Sequence, residues 1–141
     1  MLSEQDAYNE LCCYTLAHTG GRFIHQHVVD AFIAQHANEA TKPVALTFAL
    51  VGLYLYLEKG QTGREVQQAH MRLARRKQTW PAFDLPASRG TVTPNDVMAA
   101  PPGTERDAAI ERWCASVWAA YAHHRRKLED LLRATGAFVV T

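Results

Sequence analysis

The sequence predicts an all-α protein: a compact bundle of about five helices with one long packed loop and a long carboxy-terminal helix. Three observations carry this. Helix-start signals recur along the chain, and apolar residues return at helical spacing between them. No segment alternates apolar and polar residues like a half-buried strand, and the closing AFVVT is too short and unpartnered to count as one. At 141 residues, 48% apolar and 21% charged, the chain is large enough to bury a core and far from disordered composition. One domain over residues 1–141 is expected, without internal repeats or low-complexity tracts.

The elements follow in order. Ser3 with Asp6 resembles a capping box and opens a first helix to His18, with Tyr8, Leu11, Cys12 and Thr15 inward and Gly20-Gly21 as its stop. A second helix runs from Arg22 to Asn38. Pro43 opens a third, apolar on nearly every side and therefore central. Its apolar run, Pro43 to Leu57, spans roughly 22 Å against the roughly 30 Å of a bilayer core, so it reads as a buried helix rather than a membrane span. Gly52 inside it marks a close approach, since glycine otherwise costs about 1 kcal/mol there.

Thr62 with Glu65 is a full capping box for a fourth helix ending near Lys77. Gln78 to Val92 carries Trp80, Phe83 and Leu85 and reads as a loop packed onto the helices. Thr93-Pro94-Asn95-Asp96 starts a short helix with proline at its first position, and Pro101-Pro102-Gly103 breaks it. Thr104 with Asp107 opens the last helix, which keeps Ile110, Trp113, Val117, Tyr121, Leu128 and Leu131 on one face and stops at Gly136.

Charge and cysteine usage narrow the function classes. With 15 basic and 14 acidic residues the formal charge is +1, so no bulk field holds nucleic acid or an anionic membrane. The basic runs at Arg72, Arg75, Arg76 and Lys77 and at Arg125, Arg126 and Lys127 read as solvated surface, the first also favoured by its helix end. Cys12, Cys13 and Cys114 are odd in number and two are adjacent, a poor disulfide framework that points to a reducing compartment. The acidic, polar amino terminus lacks the regions of an export signal, and a cytoplasmic location is expected. There is no glycine-rich phosphate loop, HExxH, CxxC or GxSxG.

Seven histidines are the compositional feature that points to chemistry. His25 and His36 share a face of the second helix but lie about 16 Å apart, too far to hold one ion. His27 points away from His25 and shares a face with Asp30. His70 falls on the inner stripe of the fourth helix and His124 on that of the last. Bundles build metal sites from one or two ligands per helix, and neutral imidazole suits zinc, nickel, iron or manganese. The candidate ligands are His25, His70 and His124, with His27 and Asp30 the alternative pair and Asp30 the candidate base. Each of these histidines can equally be a hydrogen-bonded core residue.

The segments FIHQHVVDAFIAQH, FALVGLYLYLEKG, TGREVQQAHMRLA and WPAFDLP resemble a family of bacterial proteins known only as a domain of unknown function. The resemblance runs from Tyr8 to Tyr121 and implies a compact intracellular protein, with no activity and no site residues to carry over. A looser architectural similarity is to DinB-like metal-binding bundles, whose histidine spacing is not matched here. The first expectation is thus a bundle that binds a divalent metal. The rivals are a non-catalytic module that pairs as a homodimer or with a partner through the Tyr54, Tyr56 and Trp80 region, and a small-molecule pocket without metal.

Overall fold

A helix apolar all round has to be surrounded, and α3 (Pro43–Lys59) is. In the computed structural model, which describes residues 2–18, 20, 22–76 and 78–136, it packs against α2 (His25–Gln35), α4 (Gly63–Ala74), α6 (Thr104–Tyr121) and α7 (Arg125–Thr135). Gly21, Lys77 and the AFVVT tail lie outside the described residues. α1 (Glu4–Ala17) covers α2 and the short α5 (Pro94–Ala99), and no described residue is in a strand. One core of Leu11, Val28, Leu50, Leu53, Tyr54, Ile110, Trp113 and Leu128 joins these helices. No helix is long and apolar enough to cross a membrane among the described residues.

The predicted start signals act as caps, with one exception. Ser3 accepts from the Asp6 amide, and Thr62–Glu65 and Thr93–Asp96 form reciprocal boxes. At α6 the cap is Gly103, at φ 102°, and Thr104 is already helical. The Asp107 carboxylate, released from capping, instead accepts from the Tyr14 hydroxyl at 2.9 Å. The long last helix is present as α6 and α7 joined by a 3-10 turn at Ala122–His124.

The long loop is packed as expected. Phe83 is buried, Trp80 and Leu85 pack on the core, and Arg89 donates to the carbonyls of Gln35 and Ala37 at the carboxyl end of α2. Gly52 is a close approach, but to a side chain rather than a helix backbone: a Cβ there would lie 1.8 Å from Asp30 Oδ2.

The second helix begins later than the sequence predicts, at His25 rather than Arg22. Phe23 takes a left-handed conformation, φ 50°, that an α-helix cannot contain. Three contacts hold that turn. The Gly63 amide donates to the Arg22 carbonyl at 2.6 Å, the Arg64 guanidinium lies 4.4 Å from the Phe23 ring, and glycine at 63 leaves room for the Phe23 carbonyl. A Cβ at 63 would sit 1.8 Å from that oxygen.

Candidate functional site

The histidines named from the sequence do not converge. His25 Nδ1 pairs with the Thr15 hydroxyl at 2.9 Å, His70 Nε2 donates to the Phe48 carbonyl at 2.8 Å, and His124 Nε2 to the Asp84 carbonyl at 3.2 Å. His70 also stacks on Phe48, and His124 meets the edge of Phe83. Burial lowers the pKa of all three, so they are neutral at pH 7, and the carbonyl bonds of His70 and His124 only partly oppose this. Among the described residues no three His, Cys, Asp or Glu side chains gather closely enough to hold a metal.

His27 and Asp30 stand apart. The His27 ring is 2% exposed and lies flat on Tyr56, centroids 3.6 Å apart and planes 7° from parallel. Its buried Nδ1 has no hydrogen-bond partner. Burial, then the neighbouring Arg22 charge, pushes its pKa down to about 4, so the ring is neutral and free to accept or donate. Asp30 is buried against Gly52; Oδ1 accepts from Gln26 Nε2 at 3.1 Å while Oδ2 has no partner. Burial holds this carboxyl well above the usual carboxylate range, the Gln26 bond opposing. An unpaired buried polar atom costs about 1–3 kcal/mol, and two of them, one helical turn apart, call for an explanation.

His27 and Tyr56 line a cleft of about 590 Å³ between the start of α2, the end of α3 and the first half of α6. Arg22, Asp107 and Glu111 line it together with the apolar side chains of Ile24 and Leu57. The strained Phe23 turn fixes where Arg22 leaves the chain. Such strain, of order 1–3 kcal/mol, persists only where the surroundings over-determine it, and it concentrates at sites of function. Burial, helped by nearby Cys114 and Glu111, keeps the Tyr56 hydroxyl protonated.

Sequence reasoning named His27 and Asp30, and Tyr56 only within an interaction face, but missed Arg22, Asp107 and Glu111 as cleft residues. Arg22 and Asp107 were absorbed into helix and capping signals that the fold does not use, and that departure from local rules was the available clue. Of the face suggested at Tyr54, Tyr56 and Trp80, Tyr54 is in the core and Tyr56 and Trp80 are half-buried against it.

A family model described as a family of unknown function (DUF5946) matches residues 5–122. No curated protein and no solved structure matches the chain.

Proposed function

Because the chain belongs to DUF5946, which supplies no activity to carry over, its function has to be read from its own residues, and we propose that it binds a small molecule in the His27–Tyr56 cleft. The observation that carries this is the sealed, unpartnered Nδ1 of a neutral imidazole in the wall of a cleft of ligand size. A ligand that engages the ring from the cleft side fixes its tautomer, and one that opens access to Nδ1 offsets a cost the apo fold leaves standing. The three free thiols suit a reducing, cytoplasmic setting for such a protein. The test is a metabolite screen by thermal shift, followed by NMR on labelled protein. The expected hit moves the His27 and Tyr56 resonances and is lost in His27→Phe; a screen whose hits leave both residues unmoved overturns the reading.

A second reading keeps the metal. The two unpartnered atoms, His27 Nδ1 and Asp30 Oδ2, sit three residues apart on one face of α2, and a divalent zinc, nickel, iron or manganese ion completed by water would engage both. The ion would have to displace the Asp30 proton that burial favours, which makes this the weaker of the two. Elemental analysis of untagged protein decides it. Stoichiometric metal that is lost in Asp30→Asn supports the reading, whereas no metal and no uptake on titration removes it.

A further inference from the structure

The cleft is lined by charges of both signs. Arg22 makes no ion pair among the described residues, and it rises beside the amino-terminal end of α2, where no side chain caps the first amides. Helix dipole and guanidinium therefore add, and that side favours an anion. Glu111 and Asp107, one turn apart on α6, stand with Leu57 and Gly60 at the carboxyl end of α3. The two carboxylates favour a cation, and the carboxyl end of α3 adds to them less the charge of Lys59 in its last turn. The amino end of α6 lines the cleft too, but Glu105 and Asp107 in its first turn offset its positive pole.

The opposing charges do not neutralise each other: no described ion pair joins Arg22 to Asp107 or Glu111. Asp107 keeps one oxygen engaged by the Tyr14 hydroxyl, which holds the carboxylate in place. Ile24 and the His27–Tyr56 stack line the same cleft, a low-polarity surface carrying one polar ring.

The geometry points to a small zwitterion as the ligand, an α-amino acid or similar amino-carboxylate, with its carboxylate at Arg22, its ammonium at Glu111 and Asp107, and its side chain over the His27–Tyr56 floor. This rests on the cleft being the binding site and adds the class of molecule it takes. A purely anionic ligand would leave two carboxylates facing it, and a purely cationic one would face Arg22. Only a molecule carrying both charges meets complementary groups at each pole.

The experiment titrates labelled wild-type protein with the proteinogenic α-amino acids, and with the analogues of each that lack either the amine or the carboxylate, following the His27 and Tyr56 resonances. Arg22 and Glu111 are exposed, so Arg22→Gln and Glu111→Gln test the poles without threatening the core. At least one amino acid should bind roughly tenfold tighter than both of its analogues. Arg22→Gln should remove that advantage over the amine alone, and Glu111→Gln that over the carboxylate alone. Equal binding of zwitterion and analogues, indifference to both substitutions, or no response to any amino acid at millimolar concentration overturns the proposal. A singly charged or neutral metabolite that does move His27 and Tyr56 would sink the zwitterion and leave the cleft standing; silence toward every compound would sink both.

Discussion

The two sides of the bundle spend their polar side chains differently. On the side covered by residues 78–92, His70, His124, Arg89 and Lys127 all donate to backbone carbonyls and tie helices to one another or to the loop. On the cleft side Arg22 is unpaired, His27 Nδ1 has no partner, and the turn before α2 is strained. The first side uses polarity to make structure; the second carries polarity in excess of what the fold needs. Excess of that kind marks where a ligand is to be sought, because a fold selected for stability alone would have paired it or removed it.

The largest expected effect tests whether the cleft side is built or incidental. Gly63→Ala places a Cβ 1.8 Å from the Phe23 carbonyl oxygen, a backbone atom that cannot swing aside. The Arg22–Phe23 turn must move or the start of α4 must unwind, at about 3 kcal/mol or more. Gly20→Ala, with no atom within 4 Å of the new Cβ, serves as the control and should change stability by about 0.5 kcal/mol or less. Denaturant midpoints that coincide for the two variants would mean the turn is not anchored.

Next in size is the pH dependence, where two buried groups on one helix pull in opposite directions. His27 titrates near 4 in the fold against an ordinary 6.5. Unfolded chain therefore binds the extra proton first, and this contribution is complete above about 6.5 and lost as pH falls toward 4, by about 3 kcal/mol in all. Asp30, whose folded pKa lies well above 3.8, does the reverse: its contribution is present at low pH and is lost as pH rises above that value. The wild-type profile sums the two, so each is read as a difference. Wild type minus His27→Phe should fall as the medium is acidified, while wild type minus Asp30→Asn should rise. The lowered histidines of the loop side are common to all three proteins and cancel. Parallel curves for wild type and His27→Phe would show that the cleft floor is wet.

The asymmetry also explains what the sequence could and could not disclose. Helix positions were legible because caps and apolar spacing are local: Thr62–Glu65 and Thr93–Asp96 cap as their spacing requires. The loop was legible as packed because Trp80, Phe83 and Leu85 have no reason to face water. His70 and His124 were rightly placed inward, yet inward position does not say whether an imidazole meets an ion or a carbonyl; that depends on which turn of a neighbouring helix or loop lies opposite. The cleft was illegible for the same reason. Arg22 and Tyr56 lie 34 positions apart and Glu111 a further 55, and only the packing of α2, α3 and α6 brings them to one cavity.

The loop side predicts a smaller stability loss with no ligand phenotype. His70→Ala removes the bond to the Phe48 carbonyl and the stack on its ring, and His124→Ala the bond to Asp84 and the contact with Phe83. Each should cost about 1–2 kcal/mol in thermal or denaturant unfolding, while any ligand of the cleft binds as before. Loss of binding in either variant, with stability unchanged, would move the site to the loop side and reverse the comparison.

The smallest stability effect is expected where the functional effect is greatest. His27→Phe keeps a flat ring on Tyr56 and deletes a buried nitrogen that had no partner, so the lost polarity costs nothing that the apo fold had gained. At neutral pH the ring it replaces is already uncharged, so no ion is removed either. Unfolding free energy should stay within about 0.5 kcal/mol of wild type, or rise slightly. Ligand binding should be lost, because phenylalanine can neither donate to nor accept from a bound molecule. A variant destabilised like His70→Ala would place His27 among the structural histidines. An unchanged stability with binding abolished separates the two sides by function, since the same change of residue type then costs fold on one side and only recognition on the other.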